Sequence, residues 1–438
     1  MITRRKALAL VSSIVGASLL SSCISGDTGD DEPAGQASPG DGGGSDEPIT
    51  LLLPSGAFER TTMPMLEDFT AETGIEVEPI AMPAEDARSR QILDLTNGTG
   101  ELDLVLLDGM TWLTQVSEHL VPLGDPEADT DADYLQPLVD MFTIDGDRFA
   151  SPLGVSIRPL IYRSDLFDAA GLEPPTTPEA MYDAAKALTD GDTYGFVGPY
   201  GRATSHVSVW TALAYNFGLE NVLDENNEKA AFNTDAGIEA LDLMARLYAD
   251  GLMPVDSIEM QHDGVLVAMQ EGRAAMTVLP TSFFLSLNDP EESPHAGNFK
   301  IASMPTGPGV DTPQSLATGW GFALSEYSDN ADNARALLTY LDERTIDPAP
   351  EAEIDQLVRP VSEPGFQHEG TLSIFPDGQI DLLHDSLLNA RTLPETPMWD
   401  EIQNAMGEEF QRAYLGEIPA EEAIANSEER VNTILAES

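Results

Sequence analysis

Cysteine, lysine and long apolar runs are scarce in this 438-residue chain. The single cysteine, Cys23, excludes an intramolecular disulfide and any cysteine-based metal knuckle. Lysine stands at four positions only, and arginine supplies the other 17 of 21 basic residues. Against these are 76 Asp and Glu, for a formal net charge of -55. Phosphate contacts need a basic surface, so nucleic acid is excluded as a partner. The apolar run Ala7 to Leu20 has 14 residues, short of the ~18 that a spanning helix needs. Gly-x-Ser-x-Gly, Walker, Gly-x-Gly-x-x-Gly and His-Glu-x-x-His motifs are missing, and no two of the six histidines fall at i, i+4. No cofactor and no metal are expected.

What is present begins with that acidity. Self-repulsion of this size destabilises a compact chain in dilute buffer, but at molar salt the Debye length falls to ~3 Å and the penalty is screened. A hypersaline medium, and with it a haloarchaeal source, is the expectation; an ordinary acidic surface is the plainer alternative. Apolar residues at 42% and charged ones at 22% describe a globular chain long enough for two or three folded units.

The N-terminus reads as an export signal. Arg4-Arg5-Lys6 precedes the apolar run, and Leu20-Ser21-Ser22-Cys23 closes it. Paired arginines suit twin-arginine export, and the closing tetrapeptide resembles a lipoprotein processing site. Residues 1–23 are therefore expected to end at a lipidated Cys23, anchoring the protein to the outer face of the cell membrane. Residues 24–48 are rich in Gly, Ser, Pro and acids, and read as a flexible linker with a reach of roughly 25 to 30 Å.

Beyond the linker, strand and helix patterns alternate. Ile49 to Leu53, Ile75 to Ile80 and Leu102 to Leu107 read as strands, separated by helices over Phe58 to Phe69 and Ala84 to Thr96. This predicts a doubly wound α/β unit, whose ligands lie beyond the carboxyl ends of its strands. Ser55 and the segment Asp108 to Trp112 fall at that edge. Later stripes predict helices after Asp235, from Ala334 to Leu341, through Trp399, Ile402, Met406 and Phe410, and from Pro419 to about Leu435.

A longer pattern now emerges. Gly154-Val155-Ser156-Ile157-Arg158-Pro159-Leu160-Ile161-Tyr162-Arg163-Ser164-Asp165-Leu166-Phe167 resembles the signature of family 1 extracellular solute-binding proteins, the sugar receptors of ABC importers. Further blocks follow in the family's order: Tyr194-Gly195-Phe196, Phe232-Asn233-Thr234, Glu271-Gly272-Arg273, Gly319-Trp320-Gly321 and Leu415-Gly416-Glu417. The resemblance implies an α/β protein of the two-lobe periplasmic-binding type (type II), with lobes joined by crossing hinge segments and a ligand cleft between them. It divides the chain into an N-terminal lobe of residues 49–155 plus 306–348 and a C-terminal lobe of 156–305 plus 349–438. Crossings are expected near Val155 to Pro159, Met304 to Pro308 and Asp347 to Pro350.

The implied function is capture of a sugar or oligosaccharide and its delivery to ABC permease subunits by a monomer, without catalysis. Trp112, Trp210 and Trp320 are candidate flat faces for sugar C–H surfaces, and each is open to the alternative of a core ring. Asp108 could accept sugar hydroxyls or stand as a solvated loop acid. Arg202 and His206 precede Trp210 on an expected loop. Thr281 lies in Leu279-Pro280-Thr281-Ser282-Phe283, where some relatives place a stacking tryptophan. Competing readings are a receptor for a non-sugar solute such as glycerol phosphate, and a surface polysaccharide hydrolase or lyase. Asp129, Asp131, Asp133 and Asp140 have EF-hand-like offsets, but Tyr134 stands at the Gly position. Asn97-Gly98-Thr99 is a glycosylation acceptor of low specificity.

Overall fold

A computed structural model describes residues 47–109, 112–124, 134–201, 205–350, 352, 359–375 and 378–437. Cys23, the signal, nearly all of the linker, Arg202 and the Asp129, Asp131 and Asp133 positions lie outside the described residues.

The first sheet has the strand order β2-β1-β3-β10-β6. Its strands are β1 (Ile49–Pro54), β2 (Val77–Met82), β3 (Leu104–Asp108), β6 (Ala150–Ile157) and β10 (Ala317–Leu324). A two-stranded hairpin, β4 (Thr143–Ile144) and β5 (Asp147–Arg148), precedes β6. β1 runs parallel to β2 and β3, while β10 enters antiparallel between β3 and β6. Successive side chains of a strand face opposite ways. Ile49, Leu51, Leu53, Leu104 and Leu106 accordingly share one core with Met65, Leu66 and Phe69 of the helix Ala57–Thr73. Leu52, Val105 and Leu107 belong to the other core with Ala87 and Leu95 of the helix Ala84–Asn97. A sheet covered on both faces needs continuous apolar strands, and Leu104 to Leu107 are that kind of strand. Gly74 ends the first helix in the left-handed region, at φ 76, with its N–H on the Thr70 carbonyl.

The second sheet, β8-β7-β9, is antiparallel, with β7 (Leu160–Arg163) between β8 (Met276–Val278) and β9 (Phe299–Ala302). Only Arg158 and Pro159 separate β6 of the first sheet from β7 of the second. The chain returns between β9 and β10. Along that return, the Thr306 and Gly307 N–H groups donate to Thr176 and Asn216 carbonyls at 3.0 and 2.9 Å, so this stretch is bonded to the second lobe. Ser315 to Ala317 then lies beside the joint: Arg158 N–H donates to the Leu316 carbonyl at 3.1 Å, Arg391 N–H donates to the Ser315 carbonyl at 2.8 Å, and Ala317 N–H donates to the Arg391 carbonyl at 2.9 Å.

Helices dominate the rest of the second lobe. Asp235–Ala249 packs with Ser205–Asn216, Trp399–Tyr414 and Ala420–Glu437. Its cap is Thr234, whose hydroxyl accepts the Gly237 N–H at 3.3 Å, the ordinary N-cap bond. Trp399, Ile402, Met406 and Phe410 are fully buried, as their spacing predicts.

Candidate binding cleft

Three aromatic rings gather at the carboxyl edge of the first sheet. Trp320 stands opposite Asp108 in the β10–β3 register. Its ring centroid lies 4.8 Å from that of Phe58 and 5.1 Å from that of Trp112, the latter edge-on at 86°. The flanking glycines explain how β10 carries so large a ring there. A Cβ at position 319 would sit 2.5 Å from Met141 Sδ, and one at 321 would sit 2.7 Å from the Ser151 carbonyl oxygen. Only glycine lets the strand lie flush on that side, so the stretch presents Trp320 on the other. Arg359 lies 4.7 Å over Phe58, and Arg88 lies 4.9 Å over Trp112. Arg88 also pairs with Asp400 of the second lobe, and Gln115 Nε2 donates to the Pro397 carbonyl at 3.4 Å. These contacts bridge the lobes at the edge of the aromatic group.

Buried polar groups lie at and near the joint between the two sheets. Arg158 is 5% exposed, and its Nε and Nη1 have no hydrogen-bond partner. Burial pulls its pKa down to about 10, with the Asp108 carboxylate opposing, so it is charged at neutral pH. His262, at the start of the helix His262–Gln270, has an Nε2 closed to solvent and without a partner, and its ring is 6.0 Å from that of Phe283. Burial first, and the charge of Arg158 second, push its pKa down to about 3, which leaves a neutral imidazole at pH 7. Thr281 is buried; its hydroxyl accepts the Ile157 N–H at 3.2 Å and meets Ser156 Oγ at 3.2 Å. Ser156 Oγ in turn accepts the Ser282 N–H at 2.9 Å, tying the end of β6 to the second lobe.

The structure therefore brings Asp108, Trp112 and Trp320 together, with exposed Ser55 at the end of β1 on the same sheet edge and Thr281 at the hinge joint with the second lobe. His206 and Trp210 are placed elsewhere, and the expectation of a loop is corrected. Both lie in the helix Ser205–Asn216, in which every residue from His206 onward is buried. Trp210 packs edge-on to Phe232 at 5.7 Å and donates its indole N–H to the Gly237 carbonyl at 2.9 Å. The His206 ring sits 5.9 Å from Tyr414, with both nitrogens unpartnered and its pKa pushed down to about 4 by burial. A separate hollow of about 640 Å³ opens on the Met141 side of β10. It is lined by Asp140, Tyr215, Arg391 and Glu395, and burial and Asp140 raise the Glu395 pKa.

Residues 55–342 match the profile of a family described as bacterial extracellular solute-binding protein. The chain belongs to that family. A putative binding protein of Brucella abortus is 23% identical over 394 residues, covering 86% of this chain and 91% of its own. The galactooligosaccharide-binding protein of Bacillus subtilis is 26% identical over 268 residues, 60% of each chain. Among solved structures, an ABC transporter solute-binding protein of Agrobacterium radiobacter K84, in complex with ribitol, superposes with a TM-score of 0.76 at 23% identity. That match covers 88% of this chain and 98% of the other, and establishes the two-lobe type II fold.

Within this extracellular solute-binding protein, sequence reasoning missed Phe58, Arg158 and His262. Arg158 did leave a signal: it is the lone charge in the otherwise uncharged run Gly154 to Tyr162. Phe58 and His262 left none, because each sits at a helix start where such residues are ordinary. Among the described residues no group of three or more His, Cys, Asp or Glu could hold a metal ion, and no helix is long and apolar enough to cross a membrane.

Proposed function

We propose that the protein captures a sugar or polyol between the Phe58, Trp112 and Trp320 wall and the joint of the two sheets, and presents it to the permease of an ABC importer. The observation that carries this reading is the cluster of the half-buried Trp320 with Phe58 and the buried Trp112 at the carboxyl edge of the first sheet, on a chain whose Arg158, at the joint between the two sheets, keeps unpartnered donors. Carbohydrates need both: flat apolar surface for ring C–H groups, and donors or acceptors for hydroxyls, since each buried polar group left unpaired costs ~1 to 3 kcal/mol. Relatives and structural neighbours named for galactooligosaccharide and ribitol support the ligand class. Lobe closure selects the ligand-bound conformation, and the solute leaves chemically unchanged. Lobe boundaries follow the notion of a short joint at Arg158-Pro159 and a return at Ser315 to Ala317. Lipid on Cys23 tethers the monomer outside the cell through the residue 24–48 linker, and the net charge of -55 suits concentrated salt.

The test is thermal unfolding of the mature chain in molar KCl with a panel of sugars and polyols. A ligand at about 100 times its dissociation constant adds ~2.7 kcal/mol of stability, which raises the melting temperature. A shift with one sugar, recovered intact, is the expected result. No shift across the panel overturns the sugar reading, and consumption of the sugar overturns the reading as a receptor.

A further inference from the structure

Asn97-Gly98-Thr99 is the only Asn-x-Ser/Thr sequence in the chain, and solute capture makes no use of it. Such a triplet accepts N-linked sugar when it lies on the surface of an exported protein. The fold supplies that surface. Asn97 is the last residue of the helix Ala84–Asn97, and Gly98, at φ 61 in the left-handed region, turns the chain away from it. Asn97, Gly98 and Thr99 are all exposed. The Asn97 carboxamide donates from Nδ2 to the Leu93 carbonyl at 2.8 Å. An exposed bond at a fraying helix end is worth about 1 kcal/mol, so Nδ2 is freed at little cost.

A seat for the first sugar adjoins it. Leu93 and Asn97, with Ser89, Arg90, Thr99 and Glu101, line a surface hollow of about 370 Å³. Leu93 lies one turn before Asn97 on the same helix face and is 60% exposed. It offers apolar surface to the C–H face of a sugar ring, and the polar side chains around it offer partners to hydroxyls. The position also leaves the cleft free. In the β3–β10 register Leu104 pairs with Leu324, and Asp108 with Trp320. Tyr327, just beyond Leu324, lies against Gly98, where a Cβ would be 3.2 Å from the tyrosine Cε1. Asn97 therefore stands at the amino edge of the sheet, about 13 Å of strand away from the Trp320 edge. Thr50 Oγ1, at the start of β1, donates to the Glu101 carbonyl at 2.8 Å, so this edge is also where the residue 24–48 linker enters the fold.

We propose that Asn97 is glycosylated once the chain is outside the cell. Nδ2 bonds to the anomeric carbon of a saccharide delivered on a lipid-linked phosphate. The anomeric C–O bond to that phosphate breaks, the phosphate oxygen keeps the electron pair, and the carboxamide releases one proton. The glycan covers Leu93 beside the linker, on the side away from Trp320.

Peptide mapping by mass spectrometry of the full chain, as exported by its own host, tests this. Cleavage after Arg90 and Arg148 yields one peptide, residues 91–148, in which Asn97 is the only such acceptor. That peptide is expected to be heavier by whole sugar residues placed on Asn97. Asn97→Gln and Thr99→Ala should each return it to its sequence mass, and Thr99→Ser should keep the sugar. A wild-type peptide at its bare sequence mass overturns the proposal without any variant, and so does added sugar mass that persists in Asn97→Gln or in Thr99→Ala.

Discussion

Trp210 is fully buried with its indole N–H satisfied, whereas Trp320 keeps part of its ring accessible beside Phe58 and Trp112. The two side chains should therefore fail differently. Trp210→Ala is expected to lose about 3 to 5 kcal/mol of stability, the cost of an emptied aromatic core site, measurable by urea unfolding. Trp320→Ala should melt close to wild type but lose at least about 30-fold in solute affinity, as expected of a ~2 kcal/mol aromatic hot spot; unchanged affinity would remove it from the site. His206 adds a pH term. Its folded pKa of about 4 lies below the ordinary imidazole value of about 6.5. Between those values the unfolded chain takes up a proton that the native chain refuses. Its contribution is thus intact above about pH 6.5 and is lost as pH falls toward 4, by roughly 3 kcal/mol in all. Comparing unfolding at pH 7.5 and 4.5, His206→Leu should lose less stability on acidification than wild type does. Equal losses would show that His206 is not held neutral.

Gly407 shows the same histidine acting on a whole element. It lies inside the helix Trp399–Tyr414, where alanine normally gains about 1 kcal/mol over glycine. Here a Cβ would come 2.5 Å from His206 Nε2 and 3.2 Å from its Cε1. Gly407→Ala is therefore expected to destabilise by about 1 to 3 kcal/mol, as overpacking does, and to become stabilising in a His206→Ala background. Additive effects in that cycle would show that the helices have room to part. Elements with a clear period were legible from the sequence: the strands and helices from Ile49 to Asp108 fall within a few residues of expectation, and so does the Trp399 stripe. The helix Ser205–Asn216 was not, because Val207, Val209, Trp210, Ala212, Leu213 and Tyr215 leave no polar face to mark a period. For the cleft, Asp108, Trp112 and Trp320 followed from strand ends and the family blocks. The bare donors of Arg158 did not, since burial without a partner is set by packing that no local pattern records.

At the scale of the whole molecule, salt acts on two terms of opposite sign. A net charge of -55 opposes compaction of the folded body, and this repulsion is screened as the Debye length shrinks to ~3 Å at 1 M. The Arg88–Asp400 pair between the lobes is attractive and partly exposed, with side-chain exposures of 21% and 38%, so salt weakens it. A pair of that kind is worth about 1 kcal/mol at most, whereas the repulsion sums over the entire surface. Repulsion should win. The melting temperature is expected to climb continuously from dilute buffer to molar KCl, and Arg88→Ala should leave that slope unchanged. The variant's effect should appear instead in shape: without solute, its radius of gyration by small-angle scattering should exceed that of wild type at low salt, and the difference should fade at molar salt as the pair is screened. Full stability in dilute buffer would show that the acidic surface is no adaptation to brine, and identical radii at every salt concentration would show that Arg88 and Asp400 do not hold the lobes together.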